Sequence, residues 1–193
     1  IVEIGCNDGI MLQNFLSDNI PCLGVEPSKN VARVAMEKGI DVMTEFFDKS
    51  LAEKIVSKHG QADAYIAANV MCHIPYMNSI VEGIKVLLKP DGIVMFEDPY
   101  LGNVIEKTTY DQIYDEHTFL FSVHSIQYLF NQFNMEVIDV EPQATHGGSM
   151  RYVIAHNGVK QVNENVNKQL DYEIELGLTN SKTYYQFQKN CER

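Results

Sequence analysis

The residues from 110 to 117, Tyr110-Asp111-Gln112-Ile113-Tyr114-Asp115-Glu116-His117, are the densest group of chemically useful side chains in the chain. A histidine takes up a proton near neutral pH, and a neighbouring carboxylate orients it and stabilises its charged form. A tyrosine hydroxyl can donate a hydrogen bond to a developing oxyanion. The set suits proton abstraction, although a solvated acidic loop has the same composition. A second group is His146-Gly147-Gly148-Ser149, whose glycines and small polar side chains suit close approach to a ligand. A hairpin turn explains those glycines equally well. Arg151 follows and could meet a phosphate or a carboxylate. A third group, Asn69 and His73 before Ile74-Pro75, stands at the end of an apolar run. Each also reads as structural, Asn69 as a turn residue and His73 as a histidine at a loop-to-helix junction.

The chain opens on Val2-Glu3-Ile4-Gly5-Cys6-Asn7-Asp8-Gly9, an apolar strand running into a turn with glycines at 5 and 9. Glycine lets a backbone turn sharply and come close to a ligand, and the helix that follows offers free N–H groups. A nucleotide-type site is the reading, with a purely structural strand–turn–helix as the alternative. The dinucleotide fingerprint needs a glycine at position 7, where this chain has Asn7. A second short strand ends in Glu26, 21 residues beyond Gly5. In doubly wound folds an acid about 20 residues on accepts hydrogen bonds from ribose hydroxyls. An acid before a helix is also favoured for its own sake.

These groups need a frame, and the periodicity supplies one. Strands are expected at 2–4, 22–25, 41–44, 64–68 and 92–97, with helices at 10–18, 30–38, 50–58 and 78–88. Alternation of this kind means a parallel sheet buried on both faces. Lys89-Pro90-Asp91-Gly92 reads as a turn. Residues 100–117 read as polar loop with a short helix near 110–114, followed by a helix at 123–133. Strands at 136–140 and 149–156 suggest an antiparallel pair at the end of the sheet. The fold class is therefore α/β, doubly wound, with a mostly parallel seven-stranded sheet over residues 1–156. Residues 157–193 are expected as a mainly helical linker.

Bulk properties narrow the function classes. A chain of 193 residues supports one domain. A formal charge of −11, without a basic cluster, argues against nucleic acid as the main partner. No apolar run approaches the roughly 18 residues of a membrane span. Cys6, Cys22, Cys72 and Cys191 form neither a zinc pattern nor a disulfide framework. Scattered thiols point to a reducing cytoplasm. The chain starts inside a strand and ends in a helical pattern without a stop signal, so it reads as a fragment.

Together these stretches resemble the sugar C-methyltransferase family, whose members move a methyl group from S-adenosylmethionine to a carbon of a nucleotide-linked keto-sugar. The resemblance rests on residues 2–9, on Asn69-Val70 with His73-Ile74-Pro75, and on Asp98-Pro99-Tyr100-Leu101. It rests further on residues 110–117 followed by Phe121-Ser122, and on His146-Gly147-Gly148-Ser149-Met150-Arg151. It implies that His117 removes the proton beside the ketone, with Tyr114, Glu116 and His73 lining that site. Glu3, Gly5, Asn7, Asp8, Gly9, Glu26 and Asn69 would hold the cofactor, and Phe47 would pack near adenine. Tyr100, His146, Gly147, Ser149 and Arg151 would face the substrate. S-adenosylhomocysteine would be the by-product. No metal is expected in this chain, because the family's zinc-binding segment precedes the first motif. A further α/β domain that helps to hold the nucleotide follows in the family. Two departures stand out: Asp115 replaces a usual histidine and adds negative charge beside His117, and Cys6 replaces a common serine. The same residues leave open an O- or N-methyltransferase of a small metabolite, or a cofactor-binding module without activity. The sugar and the oligomeric state are not legible.

Overall fold

Short uninterrupted runs of Val, Ile, Leu and Ala make strands that bury both faces, and the computed structural model, which describes residues 1–192, shows such a sheet. In chain order, β1 (Val2–Ile4), α1 (Leu12–Ser17), β2 (Leu23–Val25), α2 (Lys29–Glu37), β3 (Asp41–Met43) and α3 (Lys49–His59) come first. Next are β4 (Ala62–Ala68), α4 (Met77–Leu87), β5 (Leu88–Pro99) and α5 (Leu101–Lys107). α6 (Val123–Asn131), β6 (Met135–Gln143), β7 (Ser149–His156), α7 (Glu164–Glu175) and α8 (Ser181–Cys191) complete the chain. The seven strands lie in the order β3-β2-β1-β4-β5-β7-β6. Pairs among β1 to β5 are parallel, and β7 is antiparallel to both β5 and β6.

Alternation along each strand sorts its side chains between two apolar layers. Val2, Ile4, Leu23 and Val25 join the larger core with α3, α4 and α6, built around Tyr65, Phe96, Ile80, Ile84 and Phe130. Gly24 faces the other way, where a Cβ would fall 2.4 Å from the Cys6 sulfur. There α1 and α2 close a smaller core of Cys6, Leu12, Ala32, Ala35, Ile40 and Val42. The four cysteines are free thiols. Among the described residues, no helix is long and apolar enough to cross a membrane.

The helix boundaries follow local chemistry. Asp48 caps α3 by accepting from the Leu51 N–H at 2.7 Å, and Gly60 ends the helix at φ 80°. Ser122 and Ser125 form a reciprocal capping box at the start of α6.

Two regions differ from the sequence expectation. Residues 89–92, expected as a turn, are a bulge inside β5. Its register runs from Ala62↔Leu88 to Ala64↔Ile93, so one residue on β4 opposes four on β5. α5 was expected as loop: it is short, with only Gly102 and Val104 buried, too little to show a helical period. Residues 164–191 hold two helices. α7 packs on β6 and α6, with Val166 and Glu173 buried, and α8 follows.

Candidate active site

Between β1 and β4 the sheet order reverses, and ligands in open α/β sheets bind beyond the strand carboxyl ends at such a point. The turn after β1 is built for close approach. Gly5 takes φ 60°, and its N–H donates to the Val25 carbonyl at 2.8 Å. A Cβ on Gly5 would lie 2.5 Å from Val70, and one on Gly9 would lie 2.3 Å from Ile40. Asn7 is left-handed at φ 53°. Its N–H donates to one oxygen of Glu26 at 3.2 Å, and the Ser28 N–H donates to the other at 2.8 Å. Asp8 is held by Lys38 at 2.8 Å, and this ion pair keeps its carboxyl below the usual range.

Gly5, Glu26, Phe46, Phe47, Val70 and His73 help to line a cleft of about 540 Å³ beyond these strand ends. A second cavity of about 570 Å³ continues past Phe46, Phe47 and His73 to Pro75 and Tyr76. Phe47 is buried and tilted on Tyr65, with ring centroids 5.5 Å apart. Phe46 is 82% exposed and lines both cavities. The sequence reading passed over Phe46; the aromatic doublet it forms with Phe47 was the available signal. Glu3 is buried and does not line the cleft. One of its oxygens has no partner, and burial pushes its carboxyl up to about 7.

His73 joins this cleft to the histidine loop. It sits in a single 3-10 turn, Met71–His73, after β4. Its ring centroid is 5.1 Å from that of His117. Its Nδ1 is 2.8 Å from the Glu116 carbonyl, and His117 Nδ1 is 2.7 Å from the Gln112 carbonyl. A carbonyl only accepts, so both Nδ1 atoms carry hydrogen in the tautomer this network assigns. For His117 that leaves an Nε2 lone pair, which accepts from the Tyr114 hydroxyl at 2.9 Å. The Phe119 N–H donates to the Cys72 carbonyl at 3.1 Å and ties the loop to the 71–73 turn. The side chain of Glu116 is exposed. Cys72, His73 and His117 bring possible ligand atoms within 4.8 Å of one another. Burial holds the Cys72 thiol far above its ordinary range.

Beneath this turn lies Asp98, fully buried at the end of β5, with neither carboxylate oxygen hydrogen-bonded. Burial pushes it up to about 6, and the nearby Cys72 thiol and Met71 and Cys72 amides only partly offset this. Sequence reading missed Asp98 as a distinct group.

The residues expected to face a substrate divide. Asn69, left-handed at φ 54°, contacts the ring of His146 through its side-chain amide, and Lys107 donates to the Gly147 carbonyl at 2.6 Å. Positions 146 and 147 are exposed, and Asn69 is half-buried. Tyr100 is buried, and its hydroxyl serves Glu173 and Gln169. Ser149 is also fully buried, donating to the Thr145 carbonyl at 3.2 Å. Arg151 is already matched by two carboxylates, Glu97 at 3.1 Å and Glu141 at 3.0 Å. Their strand positions explain the change, since Glu97 and Glu141 both stand opposite Arg151 in register.

Comparison with known proteins bears on this geometry. The methyltransferase-domain family matches residues 1–140, and the C-methyltransferase C-terminal domain matches residues 144–193. The chain is 31% identical over 194 residues to C-methyltransferase NovU of Streptomyces niveus, covering 100% of this chain and 46% of that protein. It is 27% identical to a ubiquinone biosynthesis O-methyltransferase of Salmonella paratyphi A, over 50% of this chain and 40% of that protein. The chain thus spans less than half the length of these relatives. Among solved structures, magnesium protoporphyrin IX methyltransferase from Synechocystis, with bound SAH, superposes with a TM-score of 0.62 at 14% identity. That match covers 81% of this chain and 73% of the other. A SAM-dependent methyltransferase from Anabaena variabilis gives 0.61 at 18% identity, over 81% and 76% of the two chains. At these identities the structures share the fold.

Proposed function

The chain belongs to the methyltransferase-domain family, and from that premise we propose that it transfers a methyl group from S-adenosylmethionine to a carbon beside the ketone of a nucleotide-linked keto-deoxysugar. The observation that carries this reading is the Tyr114–His117–Gln112 relay. It presents an imidazole lone pair at a loop packed on His73, which itself lines the cleft.

The cleft fits the cofactor. Glycine at position 5 lets Val70 pack close against the turn, and Phe46, Phe47 and Val70 give apolar walls. Glu26 spends one backbone bond on each oxygen and retains acceptor capacity for a ribose diol. When bound, the cofactor supplies an activated methyl group.

The chain's own residues do the rest. A carbon next to a ketone is acidic because its carbanion delocalises onto oxygen. His117 takes that proton on Nε2, and the Gln112 carbonyl holds Nδ1–H so that the ring keeps its direction. The Tyr114 hydroxyl, released from Nε2 as the proton arrives, becomes a donor for the enolate oxygen. His73 spans the two halves. The match to C-methyltransferases at the C-terminal segment supports carbon as the acceptor. The match to O-methyltransferases over half the chain favours oxygen as the second reading.

Product NMR on the full-length protein separates the two, since a methyl on a quaternary carbon gives a singlet without the O-methyl shift. With S-adenosylhomocysteine bound, wild type is expected to exchange the substrate's α-proton with deuterium, and His117→Asn to lose that exchange. An O-methyl product would overturn the assignment.

A further inference from the structure

We infer that Glu173 is a positioning residue for His117, acting through both ends of the chain excursion that carries it; the inference rests on the reading of His117 as the base. The chain leaves the sheet at Tyr100 and returns at Phe121, and these two residues pair in an isolated bridge. The Leu101 N–H closes the neck on the Phe121 carbonyl at 2.8 Å. Everything between, α5 and the 110–117 group, hangs from that neck.

Glu173 lies under it, fully buried, on α7. One oxygen accepts from the Tyr100 hydroxyl at 3.0 Å and from the Val123 N–H at 2.6 Å. The other accepts from the His124 N–H at 3.0 Å and faces His124 Nδ1 at 3.1 Å. Gln169, one turn earlier on α7, donates to the same Tyr100 hydroxyl at 2.9 Å. A single carboxylate therefore grips the outgoing strand end and the first turn of α6, which receives the returning chain.

A buried carboxylate is costly unless its lone pairs are filled and a positive partner is near. Here the donors and the N-terminal end of α6 meet that need. Capping alone does not explain it, because Ser122 and Ser125 already close the start of α6. What Glu173 adds is a tie across the neck, made by a segment more than fifty residues beyond the excursion. With the Phe119–Cys72 bond at the far rim, the tie fixes the 110–117 group against His73.

The test uses Glu173→Gln in the full-length protein. Gln keeps the volume but turns an N–H₂ group toward donors. We expect kcat to fall roughly ten- to a hundredfold, the scale of a small misplacement of a catalytic group. The KM for S-adenosylmethionine and the affinity for S-adenosylhomocysteine should stay within about twofold, since the cleft is untouched. Amide hydrogen exchange should rise across residues 101–122. Val166→Ala, which loosens α7 in the core without touching the neck, should leave kcat near wild type. Should Glu173→Gln fail to fold, Tyr100→Phe removes one of the bonds and should give a smaller loss of the same kind. Wild-type kcat and exchange in Glu173→Gln, or equal losses in Val166→Ala, would overturn the inference. Hydrogen exchange reads the tie directly, so it stands or falls apart from the identity of the acceptor.

Discussion

The turn after β1 and the excursion from 100 to 121 flank the candidate site, yet they are held in different ways. The first is held by main chain: Gly5 and Asn7 sit in left-handed conformations, and neighbouring amides aim the Glu26 carboxylate. The second is held by side chains and distant partners, through Tyr114 on His117, Glu173 on Tyr100 and the Phe119–Cys72 tie. A backbone-built pocket suits a ligand that never changes. A suspended loop suits the acceptor, the part that differs between methyltransferases.

The two sides should fail in opposite ways. His117→Asn is expected to lower kcat by about 10²–10⁴-fold, the usual contribution of a general base, and to leave S-adenosylhomocysteine affinity unchanged. Glu26→Ala should do the reverse. A hydrogen bond to a charged group is worth about 1.5–3 kcal/mol, so affinity should drop roughly ten- to a hundredfold. Titration calorimetry alongside turnover checks both, and equal effects of either variant on both quantities would erase the distinction. In the same titrations NAD and NADP should give no signal, because Asn7 stands where the pyrophosphate needs glycine.

A third prediction tests the buried acid between the sides. The Asp98 carboxyl rises from 3.8 to about 6 in the folded protein, burial being the largest cause. Below the unfolded value both states are protonated and no penalty exists. As pH rises, the unfolded chain ionises first, so stability falls until the folded carboxyl also ionises near pH 6. Asp98→Asn should therefore stabilise the protein above that pH, by an amount on the order of 3 kcal/mol, and not below about pH 4. Thermal melts at pH 4 and pH 8 measure it; a destabilised variant at pH 8 would show that the carboxylate is needed as an anion. Tyr114→Phe removes the hydrogen bond to His117 Nε2 and with it the donor for the enolate oxygen. A loss of roughly 10²–10³-fold in kcat should appear with unchanged cofactor binding.

Much of the frame was legible because it is local. Strand β7 matches its expected bounds, and β1 to β5 follow from apolar runs between glycine and proline breaks. The Glu-x-Gly turn and the acid at 26 stood out by spacing, and the 110–117 group by its density of polar side chains, its role being implied by the resemblance. What stayed hidden has its partners far along the chain. Nothing local tells that Tyr100 turns its hydroxyl inward, since Glu173 lies 73 residues away. Arg151 looked free until the register set it opposite Glu97 and Glu141. α5 was too short to reveal a period, and the docking of α7 depends on the face of β6 that receives it.

The sequence by itself determined the alternation of strand and helix, the glycine turn, and the residue types of the proposed base and cofactor cleft. These follow from periodicity and backbone freedom, which each segment carries with it. Only the tertiary structure decided that β7 slips between β5 and β6, that His73 stands against His117, and that a glutamate near the end of the chain holds the neck of the histidine loop. Burial and hydrogen-bond partners are properties of neighbours in space, and the folded chain alone supplies them.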